Sequence, residues 1–361
     1  MIMRFVGLIS CLMVLLSSVS AACTGISITT KDKKHIQART IEWGESLLKS
    51  SIVITPREHK YQAVMPTGEK GYSWEGRYGF VGASLVSDDY IGEGVNEKGL
   101  SAGMFFFPHY GSLSPYSAKD AAYSITDMNL VSWILSNFST VAEVREAIYN
   151  IRIVPVMMFE DGSVSPTAHW RVADAAGNSI VIEIVENGKV KIYDNKVGVL
   201  TNSPDYQWQV TNLNNYVHLR PGRVADNNNL FSFGMGAGAV GLPGDITPPS
   251  RFVRAFFYLN SSPKPADGYA GVSQAFQILN NFDIPIGIEY ANKKDIPADL
   301  PSATQWTTAI NLNDLEFFYK TMYNSQVRKI DLKKIDFAKT KYQAIPMEKH
   351  KIQPYIEMTI K

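Results

Sequence analysis

Behind Arg4, residues Phe5 to Leu16 form an apolar run without a charge, and small residues from Ser17 to Ala22 lead to Cys23. A run this short is the apolar region of an export signal; a membrane span takes roughly 20 such residues. Ser20 and Ala22 satisfy the small-x-small rule of signal cleavage, which puts the cut just before Cys23. Residues 1–22 are therefore expected to be a leader, and residues 23–361 a single folded domain. An uncleaved N-terminal anchor is the alternative. No later stretch is long and apolar enough to span a bilayer.

Removal of 22 of the 361 residues leaves 339, enough for one large domain with a substantial core. Arg4 is the only charge lost, so 34 basic residues face 34 acidic ones. That balance gives no electrostatic case for nucleic acid or an anionic membrane as partner. Cysteine is scarcer still. Only Cys11 and Cys23 occur, and Cys11 leaves with the leader. The cut chain has one thiol, cannot close an internal disulfide, and carries that thiol on its first residue.

A lone N-terminal cysteine has three explanations: a nucleophile, a lipid attachment site, or accident. A lipoprotein box usually has an aliphatic residue three before the cysteine. Ser20 stands there, although Ala21 and Ala22 fit. The nucleophile reading has a chemical basis. A free α-amine has a pKa near ~8 and can take the thiol proton, so one residue supplies nucleophile and base. No histidine is then required. The six present (His35, His59, His109, His169, His218, His350) show no HExxH and no other metal-ligand spacing.

The pattern that follows is mostly β. Cys23 to Thr29 alternates, Lys31 to Lys34 makes a polar turn, and His35 to Trp43 returns as a second strand. Such a hairpin brings Arg39 and Glu42 back towards the start of the first strand. Ser51–Ile54, Tyr78–Val86 and Leu100–Phe107 read as further strands, the last after the turn Asn96-Glu97-Lys98-Gly99. A helical region is expected from about Ala118 to Leu135. Another begins at Thr140, where Thr140 and Glu143 form a capping box. His169–Asp174, Ser179–Val185, Lys189–Tyr193 and Val197–Leu200 restore the β pattern. Helices near Ser250–Leu259 and Val272–Asn281 precede late strands at Trp306–Leu312 and Glu316–Tyr323. No repeat or linker divides the chain, so one α+β domain on antiparallel sheets is expected.

A formal GxGxxG occurs at Gly236, Gly238 and Gly241, but the polar Asp226-Asn227-Asn228-Asn229 precedes it where a dinucleotide site needs a strand. A close-packed loop near a pocket is the reading kept.

Five motifs now stand in order: Cys23-Thr24-Gly25; Arg39 with Glu42-Trp43; Asn96-Glu97-Lys98-Gly99-Leu100; Thr201-Asn202-Ser203-Pro204; and Gly241-Leu242-Pro243-Gly244-Asp245 before Ser250-Arg251-Phe252. Together they resemble the choloylglycine hydrolase family, which includes bile salt hydrolases and penicillin V acylases. The resemblance spans nearly all of the cut chain. It implies an N-terminal nucleophile hydrolase with a four-layer αββα sandwich. It also implies Cys23 as nucleophile with its α-amine as base, Arg39 beside the thiolate lowering its pKa, Asn202 as an oxyanion donor, and Arg251 completing the charged cluster. The family has Asp where this chain has Glu42, a stem one methylene longer for the same charge.

A second departure follows. Bile salt hydrolases have Asn just after the strand that here ends Gly103-Met104-Phe105-Phe106-Phe107-Pro108, and this chain has one residue more. Either a backbone N–H supplies the second oxyanion donor or the alignment slips by one. Phe105, Phe106 and Phe107, with Trp43, are candidates to line a pocket for an apolar or aromatic acyl group; core packing is the other reading for each.

The reaction implied is hydrolysis of a small acyl amide through a Cys23 acyl-enzyme, with no metal or organic cofactor. Export without a complete lipid box points to a Gram-negative periplasm, or to secretion. Exported relatives of that kind favour penicillin V or acyl-homoserine-lactone acylase activity over conjugated bile salts. Family analogy extends to a homotetramer. A papain-like protease pairing Cys23 with His169 and Asn202, and a non-enzymatic lipoprotein anchored through Cys23, remain alternatives.

Overall fold

The computed structural model describes residues 21–161, 163–165 and 167–360. The expected leader lies outside these, apart from its last two residues. The chain opens as the expected hairpin, β1 (Ala21–Thr29) and β2 (His35–Trp43). Lys33, at φ 64°, reverses the chain, and the Thr30 amide donates to the Lys34 carbonyl across the turn. The register sets Cys23 opposite Ile41, Ala22 opposite Glu42, and Gly25 opposite Arg39. Between its ends β2 is buried throughout, because neighbours cover both of its faces.

Two antiparallel sheets hold the molecule. In the first, β14 (Val199–Leu200) lies beside β1, then come β2, β15 (Thr304–Asn311), β16 (Glu316–Thr321) and β17 (Asn324–Asp331). The second runs β13 (Lys189–Asp194), β12 (Ser179–Val185), β11 (Ala168–Ala173), β8 (Ser101–Phe106), β7 (Ser87–Asn96), β6 (Phe80–Leu85), β3 (Ser51–Thr55) and β18 (Gln343–Pro346). Two small pairs flank them: β4 (Lys60–Val64) with β5 (Lys70–Glu75), and β9 (Ser124–Thr126) parallel to β10 (Arg152–Val154).

Helices close both outer faces. α1 (Leu130–Asn137) and α2 (Val141–Ala147) bury Leu130, Ile134 and Val144 with Val53, Phe80 and Leu100 of the second sheet's side. After α3 (Tyr206–Asn212), α4 (Pro248–Ser261) and α5 (Gly268–Leu279) pack on β1, β2 and β15. Cys23, Arg39 and Phe105 meet between the sheets, while Ile26 and Ala38, one residue out of phase, face the helices. The order is helix, sheet, sheet, helix: the αββα sandwich.

Local chemistry fixes the details. Thr140 and Glu143 form their capping box, and Pro248 opens α4 where its missing N–H costs nothing. Gly99 sits at φ 80°, with the Leu312 carbonyl where a side chain would begin.

Some expectations change. The helix expected over Ala118–Leu135 is broken by β9, whose residues pair with β10, and α1 starts only after the turn that Thr126 and Asn129 cap. Ser87–Asn96, which is not among the expected strands, is a full strand. Gly94 lets α1 approach: a Cβ there would lie 2.7 Å from the Leu135 side chain. The Gly-rich stretch is exposed and not close-packed, with Gly238 alone buried against the Arg220 carbonyl.

Candidate active site

The hairpin register and α4 converge on Cys23, which is 3% exposed. Arg39, fully buried two residues along β2 from Cys23's partner, places Nη2 2.8 Å from the sulfur. Its other donors are spent on carbonyls: Nη1 on Gly92 (3.1 Å) and Met104, Nε on Thr40 (3.2 Å). The guanidinium lies 4.2 Å from the Phe105 ring centroid, with Trp306 at 5.6 Å. The backbone N–H of Phe106 also donates to the sulfur.

Arg251 arrives from the first turn of α4. The preceding loop is fastened to that turn by Asp245, which accepts from the Thr247 amide (2.9 Å) and the Ser250 hydroxyl (2.6 Å). Arg251 donates to the Cys23 carbonyl, to the Thr24 hydroxyl (2.9 Å) and to Asn202 Oδ1 (2.6 Å). Because Arg251 can only donate, it fixes the Asn202 amide with its oxygen inward. That oxygen also accepts from the Cys23 N–H at 2.9 Å, and Nδ2 donates to the Phe106 carbonyl at 2.8 Å. Cys23, Arg39, Asn202 and Arg251 thus form one hydrogen-bonded cluster.

Glu42 stands apart within it. It is 1% exposed, has the Thr40 hydroxyl beside it, and forms no ion pair at contact distance with Arg39 or Arg251. Burial pushes its pKa up to about 8, partly offset by Arg251. Burial likewise pushes the Cys23 thiol up; Arg39 pulls it down, and Glu42 adds to the upward push. In the chain with Ala22 still attached, the pull expected from Arg39 is present but is outweighed.

Of the four aromatic residues considered for a pocket, Trp43 and Phe106 are partly exposed. Phe105 and Phe107 are fully buried, Phe105 against Arg39 and Phe107 stacked on His169 at 4.3 Å. A papain-like Cys23–His169 pair is absent: His169 turns one ring nitrogen to Glu183 (3.3 Å) and the other to the Thr201 carbonyl (3.0 Å). Among the described residues no group of three or more His, Cys, Asp or Glu is placed to hold a metal.

Sequence reasoning missed two charged residues of the site, Glu93 and Arg171. Glu93, fully buried on β7, lies 3.8 Å from Arg39 Nη1 and 3.2 Å from Arg171 Nη2. The available signal was a glutamate between two glycines, Gly92 and Gly94, flanked by strand residues.

Comparison with known proteins is consistent along the chain. The family of linear amide C–N hydrolases, choloylglycine hydrolase family, matches residues 23–344. A bile salt hydrolase/transferase of Clostridium perfringens is 36% identical over 86% of this chain and 93% of its own length. A penicillin V acylase of Pectobacterium atrosepticum is 28% identical over 89% of this chain and 84% of its own. The solved conjugated bile acid hydrolase of Clostridium perfringens superposes with a TM-score of 0.79 at 31% identity, covering 93% of this chain and all of that one. The penicillin V acylase of Agrobacterium tumefaciens gives 0.69 at 25%, covering 88% of each.

Proposed function

This chain belongs to the choloylglycine hydrolase family of linear amide C–N hydrolases, and we propose that it is exported, cut before Cys23, and hydrolyses conjugated bile salts through a Cys23 acyl-enzyme. The observation that carries the mechanism is Arg39 Nη2 at 2.8 Å from the thiol, with the buried Glu42 carboxylate cross-strand from Ala22. Cutting the Ala22–Cys23 bond turns an amide nitrogen into an amine. As a cation that amine compensates Glu42; as a free base it takes the thiol proton.

The thiolate, held by Arg39, attacks the substrate carbonyl. The oxyanion is met by the second N–H of Asn202 Nδ2 and by the Phe106 N–H. The α-ammonium returns its proton to the leaving nitrogen, the amine departs, and a water deprotonated by the α-amine cleaves the thioester. The acid leaves and the thiol is restored.

Bile-acid amides are placed first because the bile salt hydrolase relative is more similar than the acylase (36% against 28% identity), and because two of the phenylalanines that favoured an aromatic acyl pocket are core residues. Phenoxyacetyl or long-chain acyl amides are the second reading, favoured by the partly exposed Trp43 and Phe106. The test joins N-terminal sequencing and intact mass of the exported protein to turnover of glycocholate, taurocholate, penicillin V and acyl-homoserine lactones. A free Cys23 with bile-salt turnover that Cys23→Ala abolishes is the expected result. Turnover confined to penicillin V or the lactones replaces the substrate. A diacylglyceryl mass on Cys23, or a start at Ala22, sinks the mechanism.

A further inference from the structure

We propose that Arg171 is a positioning residue for the reaction: by holding Glu93, it leaves the Arg39 guanidinium on the Cys23 sulfur. The inference rests on Cys23 being the nucleophile.

Arg171 belongs to β11 in the second sheet, but its guanidinium crosses to the first. Nη1 donates to the carbonyls of Ile26 (3.1 Å) on β1 and Ala38 (3.2 Å) on β2, and Nη2 to Glu93 Oε1 at 3.2 Å. The other Glu93 oxygen lies 3.8 Å from Arg39 Nη1, beyond hydrogen-bond distance, and accepts no hydrogen bond. Glu93 therefore sits between two guanidinium groups and bonds to only one. The Phe105 ring lies against both, 4.2 Å from Arg39 and 5.5 Å from Arg171. Gly25 leaves room for both, since a Cβ there would lie 2.8 Å from Arg171 Nη1 and 2.6 Å from the Phe105 ring.

The consequence is electrostatic. All three charged groups are at most 1% exposed, where attraction is poorly screened and an arginine fork binds a carboxylate in preference to a single acceptor. With Arg171 present, Glu93 is already compensated, and Arg39 gives Nη2 to the sulfur. Without Arg171, Glu93 keeps one cation, and Arg39 turns its fork towards the carboxylate and off the thiolate. The other charged groups near the thiol are Glu42 on β2 and Arg251 on α4, with Asp283 and Glu289 acting on those two from the loop after α5. Neither Glu42 nor Arg251 pairs with Glu93 or Arg171, so both stay constant when this pair is changed.

The cut chain has one thiol, so its alkylation by iodoacetamide, followed by mass, reads the Arg39–sulfur contact without an amide substrate. Arg171→Met is expected to raise the pH midpoint of alkylation by about one unit and slow labelling at neutral pH about tenfold. Adding Glu93→Gln to Arg171→Met returns the midpoint towards wild type, because Arg39 loses its competitor. Glu93→Gln alone leaves it at or below wild type, and Arg171→Lys, which keeps a cation on Glu93, holds it near wild type. These last two variants carry the test if Arg171→Met does not fold. An unmoved midpoint in Arg171→Met, with only a lower melting temperature, overturns the proposal. So does a raised midpoint in Glu93→Gln. Cys23-dependent turnover is measured alongside. If it persists while the midpoint stays put, this inference alone fails; if wild type shows none, the nucleophile reading fails with it.

Discussion

Cys23 lies between two buried carboxylates that the fold treats differently. On the side of the second sheet, Glu93 bonds to Arg171, which is itself tied to backbone carbonyls of both hairpin strands. On the side of the hairpin, Glu42 is equally buried and no arginine bonds to it. Burial raises both pKa values, and on the Glu93 side Arg171 is the largest opposing influence. The strongest cationic pull on Glu42 comes from Arg251, without an ion pair. On the proposed reading, cutting the peptide bond to Ala22 adds the Cys23 amine as a second cation on this side.

The largest effect that could break this comparison is a pH dependence of stability confined to the uncut chain. Glu42 is held at about 8, above its ordinary 4.5, so folding favours its protonated form. Its contribution is present in full below about 4.5 and is lost as pH rises through about 8, a loss of roughly 3–5 kcal/mol. Urea unfolding of a chain that retains Ala21 and Ala22 should therefore show falling stability between pH 5 and 9. Glu42→Gln should flatten that slope, and so should cleavage before Cys23. An unchanged slope in Glu42→Gln would assign the pH dependence to other groups.

A smaller effect sharpens the other side. Gly103 faces Glu93 across β7 and β8, and a Cβ there would lie 1.9 Å from the Glu93 carboxylate. Gly103→Ala must push Glu93 out of its contact with Arg171, at a cost of about 1–3 kcal/mol. Thermal unfolding should register the loss, with slower thiol alkylation beside it. A neutral substitution would mean that Glu93 has room to move, and that this side is no more fixed than the other.

The hairpin residues of the site were legible because they lie on the most regular part of the chain. A tight hairpin has only one way to return Arg39 and Glu42 to Cys23, and its turn and alternation were both in the sequence. Asn202 and Arg251 could be named only through the ordered motifs, since nothing local shows that α4 points at β1. Glu93 and Arg171 escaped for a physical reason. A charged residue inside a strand reads as solvent-facing, and only the packing of two sheets makes such a position buried. The same holds for Ser87–Asn96, where Gly94 gives no sign of a close approach of α1 until the helix is in place. Phe105 and Phe107 carried no sign of whether they face a pocket or the core; the inward face of β8 decides it.

The smallest effect tests how tightly the hairpin side must fit. Glu42→Asp shortens the stem by one methylene and keeps the charge. Both neighbours of β2 are strands, so the backbone cannot follow the shortened side chain. The amine can, because after cleavage it is the free end of β1. The gap is then taken up by a small shift of the Cys23 nitrogen, and turnover in Glu42→Asp should fall by less than about tenfold, a loss of roughly 1 kcal/mol. Glu42→Ala leaves the amine with no carboxylate to hold it and should lose most of the activity. The ratio of the two rates is the informative quantity. A large ratio makes charge the requirement and stem length a detail. Equal rates for Glu, Asp and Ala would mean that the amine is positioned by Asn202 Oδ1 alone, and that the buried carboxylate takes no part in the chemistry.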